Sequence, residues 1–205
     1  MLEYRGNKRK KGTNMENLGT IFYFQWELEF LHWLQSIHNP ILDSIMKGLT
    51  NLCDSPVFLI PILVFLILPI NRKSAVNALL SLLIAYLICN CFLKDLFFRC
   101  RPCWFEPTVK MLVEVPNSYS FPSGHTNAAF AVALGFLFRS KKIGIPMVIF
   151  ATGIAISRMY LFVHWPTDIL GGIISGTFSA VVSYFIINVI CKVIDRIKQN
   201  TIKMA

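Results

Sequence analysis

The sequence is poor in charge, and the charge it does carry is mostly positive. Only 15% of its 205 residues are Asp, Glu, Lys or Arg, against 55% hydrophobic residues, and the mean hydropathy is +0.56. A soluble domain normally carries about a quarter charged residues. With 11 acidic residues against 20 basic ones, the formal charge is +9. This composition excludes an ordinary soluble domain and a disordered chain, and the length predicts a single domain.

The basic residues do not form the continuous stripe that a nucleic-acid-binding module needs. They lie in short clusters between apolar runs, so we expect no nucleic acid partner and expect the lipid bilayer instead. The six cysteines predict no disulfide framework, because four lie in or beside apolar stretches, where cysteine behaves as a small hydrophobic residue. Cys100 and Cys103 form a single CxxC without the second pair of a structural zinc site, so a redox or zinc role is the less favoured interpretation.

Five apolar segments are candidates for membrane crossings, since a bilayer core of about 30 Å takes roughly 20 apolar residues per helix. They are residues 56–70, 75–93, 126–138, 143–163 and 166–191. The sequence therefore predicts an all-α fold, a polytopic transmembrane helical bundle with five core spanning helices.

The N-terminal region follows a different pattern. In residues 21–37 polar residues recur every three or four positions beside an apolar row, which is typical of an amphipathic helix, and a second such segment follows Asn39-Pro40. Glu27 and Glu29 oppose insertion of the first segment into a bilayer.

The distribution of Lys and Arg predicts the orientation. Counted over alternate loops, it places the basic N-terminal arm, the loops at Arg72 and Arg139 and the C-terminal tail in the cytoplasm, and residues 94–119 outside. Because this orientation requires residues 21–37 to cross, we favour six crossings and keep five crossings plus surface helices as the alternative.

Ionisable residues gather in three clusters on the expected outer side. The first is Lys94-x6-Arg101-Pro102. If the helix continues to Pro102, both cations project from one face about 10 Å apart, a span that could bracket a phosphate. The alternative is a pair of snorkelling cations at a helix end.

The second cluster, residues 120–126, directly precedes an apolar run. Ser123 is a suitable N-cap, Gly124 lets the backbone approach a ligand, and the free N–H groups at a helix start attract an anion. His125 then lies in the first turn, beside the bound group. The alternative is an ordinary capped helix with a chance histidine.

The third cluster is Ser157-Arg158-x5-His164-x3-Asp168. Pro166 fits the first turn of a helix, so His164 precedes that helix and Asp168 lies one turn inside it, close enough to accept a hydrogen bond from the imidazole. A histidine oriented in this way serves as a general base, a metal ligand or a nucleophile. The alternative is a capped helix with a satisfied histidine.

Taken together, the clusters predict a phosphate site of three cations, two histidines and one aspartate at one depth in the membrane. Asp168 is the one carboxylate among them, and it is engaged by His164, so the ligands that Mg²⁺ or Zn²⁺ would need are missing from these clusters. We therefore expect a reaction that uses neither metal nor cofactor.

These blocks resemble the signature of the type 2 phosphatidic acid phosphatase superfamily of integral membrane lipid phosphatases, over roughly residues 52–191. The resemblance implies a helical bundle with its site at the outer face and a double-displacement phosphoryl transfer. It implies that His164 attacks phosphorus, that Asp168 orients His164, and that His125 is the general acid and base. The implied phosphate ligands are Lys94, Arg101, Ser123, Gly124 and Arg158.

Charge and hydropathy divide the chain, and the resemblance limits the substrate to a class. Residues 1–15 would be a basic cytoplasmic arm, 16–53 amphipathic helices, 54–192 the membrane-embedded phosphatase core and 193–205 a basic cytoplasmic tail. The substrate would be undecaprenyl diphosphate, ranked first, phosphatidylglycerophosphate or phosphatidic acid, in a bacterial cytoplasmic membrane with the site on the extracytoplasmic side. The alternatives are a phosphotransferase with a lipid or sugar acceptor and a transporter or lipid-binding protein, which would need polar residues at mid-membrane depth.

Overall fold

The computed structural model describes residues 20–204, so the predicted basic arm lies outside the described residues. Nine α-helices follow one another within this range, and the predicted all-α fold is confirmed. They are α1 Gln25–Ser36, α2 Pro40–Asp54, α3 Ile60–Ile67, α4 Arg72–Ile88, α5 Lys94–Phe97, α6 Pro102–Phe105, α7 Gly124–Leu137, α8 Lys141–Tyr160 and α9 Pro166–Met204. Short 3-10 turns, Pro56–Leu59 and Pro69–Asn71, precede α3 and α4, and a π-helical turn, Cys89–Leu93, joins α4 to α5.

Three helical stretches within residues 20–204 are long and apolar enough to cross a membrane: Arg72–Phe97, Lys141–Tyr160 and Pro166–Ile202. A fourth crossing is added if Pro40–Asp54 and Pro56–Ile67, bent by 68°, count as one span. α1 has 12 residues, which gives a length of about 18 Å, well short of the hydrocarbon core. Its length favours surface helices over a sixth crossing, and the number of crossings stays a prediction.

α7 lies at the centre of the bundle, packed against α4, α8 and α9. Glycine permits two of these close approaches: a Cβ on Gly135 would lie 2.6 Å from the Cα of Ala78 in α4, and one on Gly176 would lie 2.6 Å from the carbonyl oxygen of Asn127 in α7. Small residues at such crossings let helix backbones approach each other inside a membrane.

Polar residues within the apolar segments connect helices to one another. The Nδ2 group of Asn77 donates to the carbonyl oxygen of Gly135 at 2.7 Å, and that of Asn127 donates to the carbonyl oxygen of Ala85 at 2.8 Å. Asn188 accepts from Arg139 at 2.9 Å. Since these amides are engaged between helices, they offer little support to the transporter alternative.

The condition for a shared helix face of Lys94 and Arg101 is not met. The helix that carries Lys94 ends at Phe97, and Phe98 has a left-handed backbone with φ of 46°. Thr20 then pairs with the extended chain beyond it, donating to the carbonyl oxygen of Phe98 at 2.6 Å and accepting from the amide of Cys100 at 2.9 Å. Lys94 and Arg101 therefore do not share a helix face, and the N-terminal segment lies against the loop between them.

Candidate active site

His164 lies in the short loop between α8 and α9, with only 1% of its surface exposed. The chain turns there through Phe162, a buried residue whose φ of 58° is in the left-handed region. For a bulky side chain this backbone conformation costs about 1–3 kcal/mol, and such strain is common at functional sites. The turn places His164 directly before the start of α9, as the sequence predicts.

The contacts of His164 determine which of its two ring nitrogens carries the proton. Nε2 lies 3.1 Å from Nη1 of Arg101, and Nδ1 lies 3.4 Å from Oδ2 of Asp168 and 3.5 Å from the hydroxyl of Ser120. A guanidinium can only donate, so Nε2 must carry the lone pair and Nδ1 the proton. The neutral ring thus presents Nε2 beside a cation, with Nδ1 held by a carboxylate.

Asp168 is held by more partners than the sequence indicates. Oδ1 accepts from Nη1 of Arg99 at 2.6 Å, and Oδ2 accepts from the amide of Trp165 at 2.8 Å and from the hydroxyl of Ser120. Every one of these donors favours the ionised carboxylate. Sequence reasoning assigned no role to Arg99, which lies between Lys94 and Arg101, or to Ser120, the first residue of the second cluster.

Glu27 of α1 completes this network from outside the three blocks. It is fully buried, and its Oε2 accepts from Nη2 of Arg99 at 3.0 Å. Its Oε1 accepts from the amide and the hydroxyl of Thr167 at 2.9 and 2.6 Å. The sequence assigns Glu27 only an energetic cost for insertion; in the structure the cost is offset, because the carboxylate is paired inside the protein.

Lys94 and Arg101 meet through a loop residue rather than along a helix. The ammonium of Lys94 lies 3.3 Å from the hydroxyl of Ser118, and Nη2 of Arg101 lies 3.1 Å from the same oxygen. Nε of Arg101 also donates to the carbonyl oxygen of Ser118 at 2.6 Å. Burial lowers the pKa of Arg101 to about 10, so its guanidinium remains charged at neutral pH.

The start of α7 lies beside these cations, with one correction. Ser123 occupies the N-cap position, but its hydroxyl does not cap the backbone; it accepts from the hydroxyl of Thr126 at 3.0 Å. Its amide donates to the carbonyl oxygen of Asp168 at 3.0 Å, which ties the second block to the third. A Cβ on Gly124 would lie 3.7 Å from the ammonium of Lys94, so the first turn of α7 faces that cation.

Arg158 and His125 both contact α2. Nη1 of Arg158 donates to the hydroxyl of Thr50, while its buried Nε has no hydrogen-bond partner within the part of the chain that the structure describes. Nε2 of His125 lies 2.7 Å from Oδ1 of Asp54. Sequence reasoning missed Thr50 and Asp54, whose one visible signal is a spacing of four residues at the end of an amphipathic helix.

The charges of all three blocks act on His164. Burial, followed by the charges of Arg101, Arg158, Lys94 and His125, lowers the pKa of His164 well below its usual value. The structure therefore brings the predicted site residues into one electrostatic neighbourhood. An imidazole in this setting is neutral at physiological pH, the state that a nucleophile or a base requires.

Removing the cation nearest to Nε2 is expected to raise the pKa of His164. In Arg101→Gln the protonated imidazole loses a repulsive neighbour, so its titration midpoint moves to higher pH. The chain has only 4 histidines, so ¹⁵N-histidine NMR titration in detergent can follow each ring, with His164→Gln assigning the signal. Arg139→Gln, at the other end of α7, is the control and should leave the midpoint unchanged; an unchanged midpoint in Arg101→Gln would contradict the pairing.

Comparison with known proteins places this arrangement in context. The sequence profile of the PAP2 superfamily matches residues 74–190. The undecaprenyl-diphosphatase BcrC of Bacillus subtilis (strain 168) is 36% identical over 141 residues, which are 68% of this chain and 72% of that protein. Phosphatidylglycerophosphatase B of the same organism is 38% identical over 155 residues, again 68% of this chain and 72% of that protein.

A solved structure supports the same grouping. The crystal structure of Aquifex aeolicus LpxE superimposes with a TM-score of 0.70 at 26% identity, over 78% of this chain and 96% of that one. The helices α1 and α2, with Glu27, Thr50 and Asp54, precede the residues that the profile matches.

Proposed function

This chain belongs to the PAP2 superfamily and is an integral membrane lipid phosphatase, and from this premise we propose that it works by double displacement through a phosphohistidine at His164. The observation that carries the proposal is the environment of His164: a buried neutral imidazole, fixed by Asp168, with the charges of Lys94, Arg101 and Arg158 acting on it.

In the first half-reaction the lone pair of Nε2 attacks phosphorus, and the bond from phosphorus to the leaving oxygen breaks. His125 gives its proton to that oxygen, so a neutral lipid alcohol or a lipid phosphate departs. The positive charge that develops on His164 is stabilised by Asp168, whose second oxygen is held by Arg99. In the second half-reaction His125 takes a proton from water, the water oxygen attacks phosphorus, and the bond from phosphorus to nitrogen breaks.

The phosphoryl oxygens are held by charge and by donors at the start of α7. Lys94, Arg101 and Arg158 supply the cations, and the start of α7 supplies the Ser123 hydroxyl and the Gly124 amide, the latter beside Lys94. Phosphoryl transfer demands positioning and charge neutralisation more than covalent chemistry. Three cations and a helix start meet that demand in a preorganised form, so the reaction proceeds without a metal.

The substrate that we rank first is undecaprenyl diphosphate, with phosphatidylglycerophosphate and phosphatidic acid as the other candidates. The ranking is supported by the similarity to BcrC, and phosphatidylglycerophosphatase B supports the second candidate. The Lys and Arg distribution supports a site on the extracytoplasmic side of a bacterial cytoplasmic membrane. There the headgroup reaches the cations while the lipid tail stays in the bilayer.

The purified protein in detergent is expected to release phosphate in the presence of EDTA. The assay compares undecaprenyl diphosphate, phosphatidylglycerophosphate, phosphatidic acid and a soluble phosphate ester, with malachite green detection of phosphate. Undecaprenyl diphosphate should give the highest kcat/KM. Loss of activity in EDTA that added Mg²⁺ restores would contradict the metal-free mechanism, and a higher kcat/KM for phosphatidylglycerophosphate would overturn the ranking.

A further inference from the structure

The last turn of α2 contacts the site although it lies outside the residues that the family profile matches. Thr50 and Asp54 are four residues apart, so they project from one face of the helix. Thr50 accepts from Arg158, and Asp54 lies 2.7 Å from Nε2 of His125. This face therefore reaches both a phosphate-holding cation and the second histidine.

Local packing fixes the position of Asp54. It is the last residue of α2, at the point where the chain bends by 68° before Pro56–Ile67. The preceding residue, Cys53, packs against the α7–α8 core, and its sulfur lies 4.0 Å from the carbonyl oxygen of His125. α8 packs against α2 at Gly153, where an added Cβ would lie 3.4 Å from a methyl group of Leu49. The carboxylate is thus held at His125 by the backbone of α2.

The contact joins the mostly exposed carboxylate of Asp54 to the mostly buried ring of His125. The side chain of Asp54 is 61% exposed and that of His125 is 22% exposed. Nε2 itself is buried, and within residues 20–204 Asp54 is the one carboxylate within ion-pair distance of it. The two atoms are close but poorly aligned for a hydrogen bond, as catalytic hydrogen bonds often are before substrate binds.

We propose that Asp54 is a positioning residue for His125: its carboxylate accepts the proton of Nε2 and thereby assigns the proton-transferring role to Nδ1. The inference rests on the proposed function, in which His125 is the general acid and base. In the first half-reaction the Nδ1 proton moves to the leaving oxygen, and Nε2–H stays on Asp54. In the second, Nδ1 takes a proton from water. Asp54 remains ionised throughout and favours the imidazolium that gives up its proton in the first half-reaction and forms again in the second.

The two histidines would then be arranged alike. Asp168 holds Nδ1 of His164 and leaves Nε2 to attack phosphorus; Asp54 holds Nε2 of His125 and leaves Nδ1 to carry the proton. A carboxylate that fixes the tautomer and orientation of an imidazole is the usual support for proton transfer by histidine. The second carboxylate comes from α2, outside the family blocks, so the blocks alone leave the general acid without a partner.

The test uses leaving-group dependence, because protonation of the leaving oxygen matters more for a poor leaving group. The full chain and its variants in detergent are assayed with phenyl phosphate, a poor leaving group, and 4-nitrophenyl phosphate, a good one. Asp54→Asn should lower kcat/KM, which reports only the half-reaction that forms the phosphoenzyme, by about 10–100-fold on phenyl phosphate and by less than about 3-fold on 4-nitrophenyl phosphate. His125→Ala should show the same selectivity, more strongly.

Controls separate this role from a structural one. Asp43→Asn, on the same helix, removes the acceptor of the Tyr160 hydroxyl, so it reports loosened packing of α2 and should change both esters equally. Asp54→Asn combined with His125→Ala should be no worse than His125→Ala alone. Equal losses on both esters in Asp54→Asn, with selectivity retained in His125→Ala, would overturn the inference and leave the proposed function intact. Equal losses in His125→Ala would instead refute the acid role of His125.

Discussion

Replacing His164 with alanine is expected to lower lipid phosphate hydrolysis by at least about 10⁴-fold. In the proposed mechanism no other group can form the covalent intermediate, and the remaining cations can bind phosphate but cannot accept it. The measurement is kcat on the best lipid substrate, together with trapping of a radiolabelled phosphoenzyme. The label should appear in the unmodified protein, survive alkali, be released by acid as a phosphohistidine is, and be missing from the variant.

Two further variants keep this result interpretable. His164→Gln preserves more of the buried volume than alanine, so a matching loss in both variants excludes a cavity effect, and thermal melting in detergent verifies that each folds. His32→Ala is the matched control, because His32 is paired with Glu106 on the surface at 2.6 Å and should keep nearly full activity. Turnover that persists in both His164 variants would remove the nucleophile from the mechanism.

Glu27→Gln is expected to destabilise the fold by about 3 kcal/mol, because losing one partner of a buried ion pair leaves an uncompensated group. All the contacts of the Glu27 carboxylate come from donors: Arg99, the amide and hydroxyl of Thr167, and the amide of Phe24. A glutamine amide places its own N–H groups against at least one of these donors. The melting temperature in detergent should fall by about 6–12 °C.

Glu29→Gln is the matched control for this prediction. Glu29 lies two positions along the same helix, but it is exposed, and its one side-chain hydrogen bond within residues 20–204 comes from Gln25, at 3.3 Å. Surface substitutions of this kind change stability by less than about 0.5 kcal/mol. Equal melting temperatures for the two variants would show that Glu27 does not stabilise the site. A loss of kcat in Glu27→Gln at a temperature where it remains folded would show that its effect reaches Asp168 through Arg99.

The parts of the site that follow from short-range spacing could be predicted from the sequence. His164 and Asp168 are one helical turn apart across a helix start marked by Pro166, so their contact depends on local geometry alone. The placement of Ser123 and Gly124 at the start of α7 follows in the same way, because an apolar run begins directly after them. Only the hydroxyl of Ser123 departs from the prediction, since it accepts from the hydroxyl of Thr126 and makes no capping hydrogen bond to the backbone.

The expectation that Lys94 and Arg101 share a helix face depended on an unbroken helix, and the helix is broken. The spacing of Lys94 and Arg101 suits one helix face, but the chain leaves the helix at Phe98 and pairs with Thr20. The two cations meet instead at Ser118, a loop residue 17 positions from Arg101. No local pattern marks that meeting point, because it is decided by the path of a long loop.

The sequence by itself determined the membrane environment, the helical architecture and the three blocks that form the candidate site, because hydropathy, helix periodicity and motif spacing are properties of neighbouring residues. Tertiary structure alone decided which groups support those blocks. Glu27 reaches Arg99 across 72 positions of the chain, and Asp54 reaches His125 across 71. From the sequence alone, each carboxylate would be assigned to the exposed face of an amphipathic helix. It becomes part of the site because packing brings that helix against the ends of α7, α8 and α9 that carry the site, where buried cations and imidazoles need acceptors.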